Sequence, residues 1–167
     1  MQRVRLPRDP VAVAFVNINI FDTGKMKQTH TLQHVQTGHW VGAAALSNMG
    51  FHVPTCSATS PATPLHILKC PEFDQLCQGV AVRIQSTQRG LDRADLWMNA
   101  LDVAIPSIIY RPRSPNNQMA FVYDLIEHGE SVLFKSLIDG KWLMSDGTRL
   151  LTTAVPNPQC YFRVYGF

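Results

Sequence analysis

The sequence has no block of like charge, no long apolar run and few cysteines, and each shortage removes a class of function. Fifteen Lys and Arg stand against twelve Asp and Glu, a formal net charge of +3. So mild a balance offers nucleic acid little beyond Arg3, Arg5 and Arg8 in the basic opening segment, and no nucleic-acid partner is expected. No run of about 18 apolar residues is present, so no membrane-spanning helix is expected. The apolar stretch Val11–Val16 gives way to Asn17 and Asn19 without a small-residue cleavage pattern. The expected location is therefore the cytoplasm, or release without a signal peptide. No Asn-x-Ser/Thr acceptor occurs, in keeping with that expectation. Four cysteines, Cys56, Cys70, Cys77 and Cys160, allow three pairings, but without a secretory signal they read as free, buried or half-buried thiols. Eleven scattered prolines leave little room for long helices.

What the chain does contain is short apolar runs between turn residues. The last third reads Val132–Phe134, Trp142–Met144, Leu150–Leu151 and Tyr161–Tyr165, separated by Asp139-Gly140, Asp146-Gly147 and Pro156-Asn157-Pro158. Runs this short, closed by Gly, Asp, Asn or Pro, are strands. The segment Pro156–Phe162 matches Pro115–Phe121 at Pro, Asn, Gln and Phe, and Pro61–Ile67 keeps the first Pro and a large apolar last residue. Each copy follows one of the three tryptophans, Trp40, Trp97 and Trp142, by 21, 18 and 14 residues. Loop lengths vary while the order of parts does not.

Taken in order, residues 1–10 read as an arm and 11–21 as a strand, followed by strands over Thr31–Val35, His39–Ala45, Phe51–Val53 and Leu65–Lys69. The second copy has Val82–Ile84, Leu96–Met98, Ile105–Tyr110 and Met119–Ile126, with a charged loop, Gln88–Asp95, between its first two strands. These signals predict an all-β chain: an N-terminal extension over residues 1–29, then one domain over 30–167 with repeats at about 30–71, 80–126 and 130–167. Three copies of a four-stranded unit are the arithmetic of a β-trefoil with pseudo-threefold symmetry, because no single unit can bury its own apolar face. A propeller needs more blades than three copies supply, and a sandwich leaves the recurrence unexplained. Ile67, Phe121 and Phe162, which end the copies, are expected to point into a shared core.

The third copy resembles the repeat of β-trefoil proteins of the ricin B-like and fascin-like kinds. The residues that carry the resemblance are Val132–Ser136, Asp139-Gly140-Lys141-Trp142-Leu143, Asp146-Gly147 with Leu150, and Cys160–Val164. Ricin-type repeats close with Gln-x-Trp; here Gln159-x-Tyr161 is a near match, Gln118-x-Ala120 a distant one, and Pro64 stands in the Gln position of the first copy. The resemblance implies a binding module, since that superfamily holds sugar-binding lectins, actin-bundling proteins and protease inhibitors, with enzymes uncommon. It also implies a sugar-contacting Asp in the first loop of a repeat, and Asp92 and Asp139 are the matching positions.

Sugars are held by polar side chains on their hydroxyls and an aromatic ring against their C–H face. Asp92, Arg93, Asp95 and Trp97 supply such a set in the second copy, and Asp139, Lys141, Trp142 and Asp146 in the third. Against this, Asp-Gly is a favoured hairpin turn, and a tryptophan repeated at one position suits a core. His30, His34 and His39 lie close together, yet no Cys or acidic residue stands at ligand spacing beside them, so no metal is expected. No motif surrounds any Cys–His pair, so no catalytic residue and no cofactor is assigned. The expected function is non-catalytic binding of a glycan. The alternative is a protein partner, of the inhibitor-like or fascin-like kind, held by the proline-pinned loops Pro54–Pro64 and Arg111–Ser114, stiff enough to lose little entropy on docking; a hydrolase built on the His and Cys residues is the least favoured reading.

Overall fold

Side-chain alternation decides which way each strand faces. In β4 (Leu65–Lys69) and β12 (Phe162–Gly166) every second residue is buried: Leu65 and Ile67 in one, Phe162 and Val164 in the other. The intervening His66, Arg163 and Tyr165 remain partly or fully exposed, the period of two that a half-buried strand requires. The computed structural model describes residues 29–42, 44–46, 52–70, 80–88, 96–100, 108–111, 119–126, 129–137 and 139–166. The arm and strand expected over 1–21 lie outside the described residues, as do Arg113, Ser114 and Cys77.

Twelve strands form one antiparallel system. Besides β4 and β12 they are β1 (His30–His34), β2 (Ala44–Leu46), β3 (His52–Pro54), β5 (Val80–Ser86), β6 (Leu96–Ala100), β7 (Ile108–Arg111), β8 (Met119–Ile126), β9 (Gly129–Ser136), β10 (Trp142–Ser145) and β11 (Leu150–Thr153). Six of them close a ring, each paired with the next in the order β1, β4, β5, β8, β9, β12 and back to β1. The ring is closed, though two of its junctions rest on one residue pair each, His30↔Leu65 and Val132↔Phe162. The other six form three hairpins, β2–β3, β6–β7 and β10–β11. These hairpins touch one another through His52↔Tyr110 and Thr55↔Arg149. Among the described residues the single helical element is a 3₁₀ turn, Pro158–Cys160, capped by Asn157, whose Oδ1 accepts the Gln159 N–H at 2.8 Å.

Pairing fixes which residues correspond. Leu65 faces Ser86, Met119 faces Ser136 and Phe162 faces His34 at three alternate junctions of the ring. In that frame Phe162 corresponds to Met119 and Leu65, whereas equal spacing from Pro156 aligns it with Phe121 and Ile67. The cause is the 3₁₀ turn, which takes up Pro158–Cys160 before β12 begins, so Pro158 and not Pro156 stands four residues ahead of the equivalent strand position. Ile67 and Phe162 do reach the common core; the Phe121 side chain lies outside the described ones.

That core gathers corresponding residues from all three parts of the chain: Leu32, Ile84 and Phe134 from β1, β5 and β9, and Val41, Met98 and Leu143 from the entry to each hairpin. Phe134 and Phe162 meet edge to face at 6.1 Å. Each fully buried side chain of this size contributes roughly 1.5–3 kcal/mol. The expected strand over His39–Ala45 is shorter than its hydrophobicity suggests. Trp40 makes one bridge to Gln33, Gly42 N–H donates to Thr55 O, and regular pairing resumes at Ala44.

Candidate functional site

The three tryptophans occupy one structural position. Trp40 pairs with Gln33, Trp97 with Gln85 and Trp142 with Lys135, in each case the penultimate residue of a ring strand. The residue that follows each of them, Val41, Met98 or Leu143, is the one that enters the core. By alternation the indoles therefore lie on the outside, half-buried, each beside a polar side chain of the ring. A tryptophan repeated in all three copies suggested core; the indoles are half-buried, and Trp142 packs against the cluster of Leu133, Cys160 and Tyr161.

In the third copy, Lys135 Nζ sits 5.5 Å from the Trp142 ring centre, within cation–π range. The other neighbours of Trp142 form a small apolar cluster of Leu133, Cys160 and Tyr161, with Val35 and Met144. Asp139 is exposed, and its Oδ1 accepts the Lys141 N–H at 3.0 Å, fixing the turn in which Gly140 takes φ 71°. Its second oxygen faces no protein donor among the described residues. Asp146 is more fully engaged. Its Oδ1 accepts from Thr148 N–H, Thr148 Oγ1 and Arg149 N–H, and its Oδ2 pairs with Arg149 Nε at 3.2 Å. Slight burial works against its charge, but these hydrogen bonds and the Arg149 guanidinium hold its carboxyl below the usual range.

In the second copy, Trp97 lies between Gln85 and Arg111 across two strand pairs, and its carbonyl accepts from Asn99 Nδ2 at 2.8 Å. Asp92, Arg93 and Asp95 lie outside the described residues.

The first copy holds an arrangement that sequence reading did not assign. Trp40 packs against Tyr165 with ring centres 5.4 Å apart and planes at 49°. Tyr165 OH donates to Gln33 Oε1 at 3.1 Å, and Gln33 Nε2 donates to Gly38 O at 3.0 Å. The available signal was the alternation in Phe162–Tyr165, which sends Arg163 and Tyr165 outward together.

Among the described histidines and cysteines, His30, His34, Cys56, Cys70 and Cys160 are buried. Both ring nitrogens of His34 are used: Nε2–H donates to Gln159 O at 2.7 Å, leaving Nδ1 to accept from Thr37 Oγ1 at 2.8 Å. Burial, with a contribution from the His39 charge, lowers its pKa against the opposing pull of the Gln159 carbonyl. His30 points into the ring where Val82 and Val132 stand in the corresponding strands, fully buried and with neither nitrogen hydrogen-bonded. Among the described residues no group of His, Cys, Asp and Glu is arranged to hold a metal ion. Cys56, Cys70 and Cys160 are buried and unbridged, and burial pushes the thiols of Cys56 and Cys160 up, away from the thiolate that nucleophilic attack needs.

Comparison with solved structures bears on the fold. A designed threefold-symmetric protein, ThreeFoil, superposes with a TM-score of 0.57 at 10% identity, over 82% of this chain and 97% of that one. The fold is trefoil-like. A salivary protein of the Cysteine and Tryptophan-Rich family from Culex quiquefasciatus matches this trefoil-like chain with a TM-score of 0.58 at 9% identity, over 87% of this chain and 98% of that one. No protein-family model matches the chain, and no curated protein sequence does. Among the described residues no helix is long and apolar enough to cross a membrane.

Proposed function

We propose that the protein is a non-catalytic binding module built from three four-stranded units, and that its ligand is a glycan. The observation that carries this reading is the repeated half-buried tryptophan opposite a polar ring-strand residue, which is partly exposed in the first and third units (Gln33, Lys135) and buried in the second (Gln85). A partly exposed indole flanked by hydrogen-bonding groups suits the C–H face and hydroxyls of a sugar. In the third unit the binding set is Trp142 with Asp139 and Lys141, Asp139 offering its second carboxylate oxygen, while Asp146 shapes the adjoining turn. In the second unit it is Trp97 with Asp92, Arg93 and Asp95.

A glycan array, followed by titration with the sugars it selects and tryptophan fluorescence as readout, tests the reading. Binding in the millimolar range or tighter is expected, weakened about fivefold or more by Trp142→Ala or Asp139→Asn, each equivalent to about 1 kcal/mol. Absence of binding at millimolar concentrations of every sugar tried would count against it.

One observation favours a protein ligand as the second reading. The loop from Pro54 to Pro64 is stitched to the domain by Gly42 N–H to Thr55 O, Thr63 N–H to Val41 O and Ser57 N–H to Ser60 Oγ. Its tip, Ala58 and Thr59, with Pro61 and Ala62, remains exposed. So stiff and prominent a loop loses little entropy on docking. Inhibition of a protease panel, abolished when Ala58–Ala62 is replaced by glycines, would favour this second reading over the first.

A further inference from the structure

We propose that the outer face of the β1–β12 pair, where Gln33, Trp40, Arg163 and Tyr165 meet, binds a saccharide bearing an acidic group, such as a sialic acid, a uronic acid or a sulfated sugar. The proposal rests on the glycan-binding reading above and adds a site in the first unit together with its ligand class.

Register brings these residues together. Gln33 lies opposite Arg163 and Thr31 opposite Tyr165, while Leu32 and Val164, the residues between, turn into the core. Directly opposed side chains on one face of an antiparallel pair start about 5 Å apart. Trp40 joins them through its bridge to Gln33. Tyr165 is 39% exposed.

The aromatic and amide groups are ordered in advance. Tyr165 is fixed by Trp40 at 5.4 Å and by its hydroxyl bond to Gln33, and Gln33 is fixed in turn by Gly38 O. One N–H and one carbonyl lone pair of the Gln33 amide remain available for sugar hydroxyls. Arg163 supplies the charge. Its side chain is half-buried and makes no hydrogen bond or ion pair with any described residue. A partly desolvated guanidinium with a planar fork of donors, beside a ring platform and an oriented amide, matches a carboxylate or sulfate on a pyranose. A neutral sugar would use the platform and the amide and leave the guanidinium without a partner.

The test is a set of matched titrations at low salt: sialyllactose against lactose, glucuronic acid against glucose, and sulfated N-acetylglucosamine against N-acetylglucosamine. At least one acid is expected to bind about tenfold tighter than its neutral counterpart, with the preference shrinking as salt is added. Arg163→Gln is expected to bring that ratio close to one, and Tyr165→Ala to weaken both members of the pair, with unfolding midpoints confirming that each variant folds. Equal binding of acid and neutral sugar, or a preference that survives Arg163→Gln, overturns the proposal. If sugars bind and only Trp142→Ala abolishes binding, this site is wrong while the general reading stands. If none of the sugars binds, both fall.

Discussion

His34 lies directly across the β1–β12 pair from Phe162, with the two rings 5.3 Å apart and tilted by 55°. The contact joins Phe162 of the core to a buried polar side chain whose two nitrogens are both engaged, by Thr37 and by the Gln159 carbonyl. His34→Ala removes the ring from Phe162 and leaves that carbonyl without its donor. A loss of roughly 2–4 kcal/mol is expected, read as the shift in free energy of urea unfolding.

His30 makes stability depend on pH. Burial first, and the nearby His66 charge second, lower its pKa from 6.5 to about 4. With the folded value below the unfolded one, the unfolded chain takes up the proton first as pH falls. Stability is therefore full above about pH 6.5 and declines until about pH 4, by roughly 3 kcal/mol from this group. His34, also lowered, adds to the same trend. His30→Val, the residue found at the corresponding positions 82 and 132, should stabilise the protein and do so more at pH 5 than at pH 7.5. Equal gains at the two pH values would refute the assignment.

Gly42 is tight for a packing reason and not a conformational one. A methyl group there would overlap Thr55 Oγ1 and approach Ser60 Cβ at 3.0 Å and Pro61 O at 3.2 Å. Gly42→Ala is expected to cost about 1–3 kcal/mol and to loosen the Pro54–Pro64 loop, seen as faster amide exchange at Thr63.

Thiol chemistry gives an independent check of burial. Cys56, Cys70 and Cys160 should resist a thiol reagent at pH 7.5 in the native protein and react together on unfolding in denaturant, counted by mass of the intact protein. Rapid native labelling of Cys56 or Cys160 would contradict their buried placement.

Much of the architecture was legible because its marks are local. A tryptophan opening each hairpin, turn pairs such as Asp139-Gly140, and a proline ahead of each closing strand all fall within short windows. Register was not legible at Pro156 and Pro158, where two prolines compete and only the 3₁₀ turn decides between them. The candidate site divides in the same way. Asp139 and Asp146 stood out in the sequence, yet both carboxylates prove to hold backbone turns, since the residues that favour a tight turn are also those that favour a sugar. Gln33 and Tyr165 are 132 positions apart, so no window contains both; only closure of β12 onto β1 makes them neighbours.

That closure sets the order in which safety is reached during folding. Until β12 is in place, β1 presents a bare row of amides and carbonyls able to recruit another chain, and β9 lacks its pairing at Val132. The seam joins residues as distant as His30 and Gly166, a long-range step that is slow to form. Chains cut short before Phe162 should therefore be found in inclusion bodies, the price of a wall whose final stave is also its keystone.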